Sequence, residues 1–379
     1  MTPSRGAGDV VVIGAGLIGL SIAFELARSG ATVRVMDSGE PGKAASWAGA
    51  GMLAPLTEQI ADSALQRLCE QSLVIYPEYV DSIREVSGVD PKLHLNGVLS
   101  AAFDNAQMGR LDVRAEQLSA EKYACRIYDR DETLSLEPAL SKAVRGSLLV
   151  GDEGQIDNRR LGRALQTACE RQGVTLHANI KQLSVECDAR RVLGVRTDVG
   201  FVPADAVVNA AGAWSSQIGG VPPNCIPAVR PVKGQMLTIE TPKSFVTHPC
   251  WFPGGYAVPR DDGRLLIGAT VEDVGFDTRV TSDGLRSLLN AALDAMPALG
   301  SFSVSETWAG VRPGTPDGRP FLGATPLVGY FLATGHYRNG ILLAPITARY
   351  LADAIEGKRE STAFSIERPS PFDRGFARA

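Results

Sequence analysis

The chain has 379 residues, 38 Lys and Arg against 42 Asp and Glu, a formal net charge of -4 and 44% hydrophobic residues. That length accommodates two domains, or one large one, around a sizeable core, while the scattered basic residues remove the case for nucleic acid or a membrane surface as partner. Six cysteines and four histidines stand singly, without metal-ligand spacing, so a reducing, cytoplasmic compartment and no metal site are expected.

An apolar strand, Asp9 to Ile13, runs straight into Gly14-x-Gly16-x-x-Gly19 and a helix, and a second apolar run, Thr32 to Met36, ends on Asp37. Gly14 permits a tight turn, Gly16 lets the backbone approach a pyrophosphate, and Gly19 lets the helix pack closely on the strand. The helix start offers unpaired N–H groups to phosphates, and Asp37, about 20 residues on, suits a ribose hydroxyl. This order of elements predicts a dinucleotide site and leaves NAD and FAD both open. Val10 to Leu26 imitates a membrane segment, but its phosphate-loop glycines and Glu25 argue against one.

Residues 42 to 55 are too small to form a core, which predicts something large lying against their backbone. Next come a helix from Asp62 to Val86 with a buried stripe at Leu65, Leu68, Ser72, Ile75, Tyr79 and Ile83, strand-like residues Leu93 to Phe103, and a helix from Asn105 to Leu118. A strand at Gly146 to Val150 precedes a helix at Asn158 to Arg171, capped by Asn158. Thr175 to His177, Lys181 to Glu186 and Val192 to Thr197 read as a meander. Ala206 to Ala210 reads as a third parallel strand, ending in a small-residue turn, Asn209 to Ser215, that suits a nearby ligand.

Prolines at 222, 223, 227 and 231 mark a boundary, and the alternating runs Gln235 to Ile239, Gly255 to Pro259 and Leu265 to Ala269 suit an antiparallel sheet. A helix at Ser282 to Met296 and a strand at Ser303 to Val311 follow. The segment Arg312 to Pro320 is turn-rich, and an apolar helix runs from Gly335 to about Ile355, with a loosely held tail after Glu360.

The N-terminal motif, Ala50-Gly51-Met52-Leu53, Asn209 to Ser215, Val232-Lys233-Gly234-Gln235, Gly310 to Pro320 and Gly335 to Pro345 together resemble the flavin-dependent amine oxidoreductases related to D-amino-acid oxidase. Within that family the pattern is most similar to the glycine-oxidising members of thiamine biosynthesis. The resemblance covers essentially the whole chain. It implies an α/β architecture: a Rossmann-like FAD-binding domain of the glutathione-reductase type, from residues 1–226 and 313–365, plus an antiparallel-sheet substrate domain at 227–312. The strands around 92–144 fall within the first of these ranges, with joining the substrate domain as the alternative.

The resemblance also implies bound FAD. Asp37 and Ser38 would meet its adenosine, Gly14, Gly16, Leu17, Ile18 and Gly19 its pyrophosphate, and Gln182 its adenine. Ala45, Ser46, Ala50, Gly51, Met52 and Gly212 would line its length. His336, Tyr337, Arg338, Asn339, Gly340, Ile341 and Leu342, at the start of the last helix, would face the flavin pyrimidine, where a helix N-terminus stabilises negative charge. With no cysteine after Cys250, where relatives that bind flavin covalently carry one near Gly310-Val311-Arg312, the FAD is expected to be noncovalent.

For substrate, the resemblance makes Arg312 the carboxylate anchor, Tyr256 a second donor and Arg338 a positioning residue. An Arg suits this task because its planar fork binds a carboxylate through two hydrogen bonds. The competing readings are an Arg312–Asp317 ion pair and ordinary core packing of Tyr256. The implied reaction transfers a hydride from the substrate α-carbon to flavin N5 without a side-chain base. Glycine, sarcosine or small D-amino acids would then give an oxo acid, ammonia or an amine and, with O2, hydrogen peroxide. A homotetramer is implied as well. Val271 follows Gly268-Ala269-Thr270 where the compared relatives carry methionine, which leaves the strictness for glycine open. Two other functions compete: a D-amino-acid dehydrogenase with another electron acceptor, and a noncatalytic flavin-binding subunit.

Overall fold

The computed structural model describes residues 8–358 and 363–368. Its first sheet has six strands in the order Phe321–Ala324, Tyr330–Thr334, Ala206–Asn209, Asp9–Ile13, Thr32–Met36, Thr175–His177, all parallel except Phe321–Ala324. Asp9–Ile13 sits inside this sheet, so both of its faces are covered, which is why it reads as a continuous apolar run. Val10 and Val12 pack toward helices Leu17–Arg28, Asn158–Arg171 and Ala344–Ile355. Val11 and Ile13 point the other way, toward Val185, Val192 and Val195 of a three-stranded meander, Leu183–Cys187, Val192–Thr197 and Gly200–Pro203. The result is a helix–sheet–sheet sandwich in which each buried Val, Leu or Ile contributes roughly 1.5–3 kcal/mol.

The second large sheet has eight strands in the order Val304–Gly314, Arg230–Glu240, Arg264–Gly268, Gly255–Pro259, Cys250–Phe252, Val98–Ala102, Gly146–Val150, Cys125–Asp129. The strands from 98 to 150 therefore share a sheet with those from 230 to 314, joined through the parallel pair Cys250↔Leu99. Helix Ser282–Ala295 covers one face, packing Leu288 and Ala292 on Leu237, Leu265 and Ile267.

Several expectations are corrected. Thr175–His177 belongs to the parallel sheet, not to the meander, whose third strand is Gly200–Pro203. The 93–103 run is two strands, Leu93–His94 and Val98–Ala102, in different sheets. Asp157, not Asn158, caps the following helix, accepting the Arg160 N–H at 3.0 Å. The long helix, Ser63–Ser87, buries Tyr76 where Ile75 was expected. The last helix spans Ala344–Ile355 only, and 336–343 are successive turns. Arg312 lies inside strand Val304–Gly314 rather than in a turn. Of the tail, 359–362 and 369–379 lie outside the described residues, and in 363–368 Arg368 is anchored to Asp317 at 2.7 Å.

Candidate active site

A cavity of about 710 Å³ collects residues from the whole length of the chain. Gly14, Gly16, Leu17 and Ile18 reach it from the first loop, Asp37 and Ser38 from the end of the second strand, and Ala45, Ser46, Ala50, Gly51 and Met52 from the small-residue stretch. Gly212, His336, Tyr337, Arg338, Gly340 and Ile341 complete that part of the wall, and Tyr256 and Arg312 stand on it too. Gly19, Gln182, Asn339 and Leu342 do not line it. A Cβ on Gly19 would meet Gly14 O at 1.8 Å, so that glycine serves helix packing, while Gln182 is exposed between the lining residues Lys181 and Leu183.

The glycine loop and Asp37 brace one another. Gly14 has φ +106, and a Cβ there would meet Ala210 O at 2.4 Å. The Asp37 carboxylate accepts the Ala15 N–H at 2.6 Å and the Gly39 N–H at 2.8 Å. A carboxylate offers about four acceptor sites, so two remain for a ribose.

The small-residue stretch, too slight to be held by apolar packing, is held by polar donors that reach its carbonyls. Asn158 Nδ2 donates to Ser46 O at 2.7 Å and Trp47 O at 3.2 Å, Trp308 Nε1 to Ala48 O at 3.0 Å, and Arg260 Nη2 to Ala50 O at 2.7 Å. Arg159 lies between two indoles, 3.7 Å from the Trp47 ring centre and 4.7 Å from that of Trp308, a cation–π clamp. Within the stretch, Ser46 Oγ accepts the Leu17 N–H at 2.9 Å and so ties it to the phosphate loop.

At the other side, Ser72 Oγ donates to Leu342 O at 2.6 Å and Tyr76 Oη to Ile341 O at 3.0 Å. These bonds fix the turns at 336–343. Because Ala344 opens the helix, its dipole begins beyond the lining residues, and any donors toward a flavin come from turn N–H groups instead. His336 Nε2 pairs with Thr347 Oγ1 at 3.1 Å, and burial pushes its pKa down to about 3, so the ring is neutral.

Arg312 and Tyr256 stand together because two glycines make room. A Cβ on Gly234 would fall 2.4 Å from the Arg312 guanidinium, and one on Gly268 would fall 2.6 Å from the Tyr256 ring. Arg312 Nη1 donates to Lys233 O at 3.3 Å and Thr270 O at 3.2 Å, and among the described residues no carboxylate pairs with it. Asp317 is taken by Arg368. Burial raises the Tyr256 phenol, while the neighbouring Arg312 pulls it back. Val271 is 53% exposed and does not line the cavity.

Lining residues that had gone unread in the sequence include Trp251 and Glu58. Trp251 meets Tyr256 edge-on at 5.0 Å, and the Gly254-Gly255 turn between their strands was its signal. Glu58 shares the wall with Arg312 and Arg338, and burial pushes its carboxyl up to about 7 against the pull of both arginines. An acid three residues beyond the end of the small-residue run at Pro55 was the hint for it.

The residues present fit an extended dinucleotide. The cavity lies within the usual ~300–1,000 Å³ of ligand sites. A Cβ at Gly212, where no atom lies within 4 Å, would project into open space, as expected of a wall shaped for something close. Fold and site define a flavin-nucleotide oxidoreductase. Residues 9–354 match the model of the family described as FAD dependent oxidoreductase, and the chain belongs to that family. It is similar to the bifunctional protein ThiO/ThiG of a Synechocystis species, 38% identical over 371 residues covering 95% of this chain and 54% of that protein. The chain thus spans about half the length of that relative. It is 34% identical to the glycine oxidase of Pseudomonas aeruginosa over 96% of this chain and 97% of that one. Its structure matches the crystal structure of glycine oxidase from Geobacillus kaustophilus with a TM-score of 0.89 at 33% identity, covering 95% of this chain and 98% of that one.

Proposed function

We propose that the protein is an FAD-dependent oxidase of small amino acids. Glycine is the foremost substrate, sarcosine and small D-amino acids are further ones, and the products are an oxo acid, ammonia or an amine, and hydrogen peroxide. Arg312 carries this reading: it is a fork of donors on the cavity wall with only backbone carbonyls as described partners and the Tyr256 phenol beside it. Such a fork grips both oxygens of a carboxylate, which Lys could not do. FAD, when bound, supplies a two-electron acceptor, and O2 takes those electrons on. The chain's own part is orientation: Arg312 and Tyr256 fix the substrate carboxylate, Arg338 borders it, and Trp251 and Met52 exclude water. Among the described residues no cluster of three or more His, Cys, Asp or Glu is placed to hold a metal, and no helix is long and apolar enough to cross a membrane.

Relatives named glycine oxidase and ThiO/ThiG support the substrate and a place in supplying the thiazole of thiamine. The same reading takes the FAD as noncovalent and the assembly as a cytoplasmic homotetramer. It assigns residues 1–226 and 313–365 to the FAD domain and 227–312 to the substrate domain, with the strands of 98–150 added to the latter. Anaerobic addition of glycine, sarcosine or D-alanine should bleach the flavin, and peroxide should appear in air. Bleaching without peroxide would move the assignment to a dehydrogenase, and no bleaching would leave a flavin-binding subunit. Arg312→Ala should raise the glycine KM by a factor near 100, since stripping one partner from a buried charge pair costs about 3 kcal/mol.

A further inference from the structure

Glu58 has no task in the reading above, yet its position is built. Its N–H donates to Ala54 O at 3.0 Å, closing a turn. The buried carboxylate of Glu153 receives the Leu56 N–H at 2.5 Å, the Thr57 N–H at 3.1 Å and the Thr57 hydroxyl. Arg114 Nη2 donates to Leu56 O at 2.7 Å. Three separate fixings therefore hold the short segment that brings Glu58 to the wall shared with Tyr256, Arg312 and Arg338. Among the described residues no hydrogen bond or ion pair engages the Glu58 carboxyl, although an isolated acid in such a place is costly to keep.

At this part of the cavity wall, Glu58 beside Arg312 and Arg338 matches a zwitterion rather than a simple anion. A ligand carrying only a carboxylate would be drawn by Arg312 and repelled by Glu58. An amino acid carries an ammonium two bonds from its carboxylate carbon, and that ammonium is the partner the acid lacks. We propose that Glu58 is a specificity-determining residue that reads the amino group of the substrate, so that the site selects amino acids over carboxylates without an amine. This rests on the proposed amino-acid oxidation.

The test compares the holoenzyme with Glu58→Gln and Glu58→Asp, using glycine and glycolate, which differ in amine against hydroxyl. Anaerobic flavin bleaching gives the glycine dependence, and perturbation of the flavin spectrum gives glycolate affinity. In Glu58→Gln the glycine KM should rise about tenfold while glycolate binds several-fold more tightly, and Glu58→Asp should restore part of the preference. Unchanged affinities for both ligands, or a parallel weakening of both, would overturn the role of Glu58. A wild-type flavin that none of glycine, sarcosine and D-alanine bleaches would instead overturn the amino-acid reading itself.

Discussion

Arg312 points where it does because the neighbouring strand offers no side chain at Gly234. Gly234→Ala would place a methyl 2.4 Å from the guanidinium, closer than any carbon tolerates, so the fork must move. The expected outcome is a glycine KM at least tenfold higher with flavin content unchanged, read by steady-state kinetics and the flavin-to-protein absorbance ratio. His336 gives a pH signature. Its folded pKa of about 3 lies below that of an unfolded His, about 6.5, so below pH 6.5 the unfolded chain binds a proton that the folded chain refuses. Stability is therefore lost on acidification, by at most about 1.4 kcal/mol per pH unit. Glu58 and Glu153 act oppositely: raised from 4.5 to about 7, they favour the folded state as pH falls through that window. Melting curves of the wild type and His336→Gln should diverge between pH 7 and 5, with the variant gaining relative to the wild type.

At the scale of elements, the short helix Ala45–Ala48 shows how a segment without bulk is fixed. Asn158→Ala would leave the Ser46 carbonyl without a donor, at about 1–3 kcal/mol if it stays dry, while Trp47 O keeps the Arg159 Nε–H at 3.4 Å. It should weaken FAD binding as well as lower the melting temperature, measured by titrating the apoprotein with FAD. Asn158 also explains where sequence reading stopped. Asp157 and Asn158 both suit a helix cap; which of them caps, and which turns inward to the small-residue stretch, is decided by a partner 112 residues away. The glycine loop, Asp37 and helix Asn158–Arg171 were legible because their signals are local. The start of the last helix was misplaced because the apolar run Ile341-Leu342-Leu343 leads straight into it, although Pro345, in its first turn, was the available clue. Strand Cys125–Asp129 escaped because Arg126 and Asp129 are exposed on a sheet edge and break the apolar alternation.

For the whole molecule, the cofactor segments bind parts of the fold together, and stability should follow loading. At 100 times its dissociation constant FAD would add about 2.7 kcal/mol. With roughly 2.1 cal/mol/K of unfolding entropy per residue, that corresponds to a rise in melting temperature of about 3 °C for a chain of this length. Apoprotein and holoprotein melts check it, and an unchanged midpoint would mean that the cavity does not hold the cofactor. The joining of strands 98–150 to those of 230–314 was beyond sequence reading for a related reason: the parallel pair Cys250↔Leu99 links residues that no local signal connects.

The arrangement of the first sheet also sets a timetable. Asp9–Ile13 finds one neighbour, Thr32–Met36, almost at once, but the other, Ala206–Asn209, is nearly 200 residues downstream. The cavity wall is completed later still by Ile341. At ~5–20 residues per second of synthesis, Gly14 waits roughly 16–65 s for Ile341 to emerge. The dinucleotide loop is thus made long before it is of use, and loading with cofactor waits until Ile341 has been synthesised.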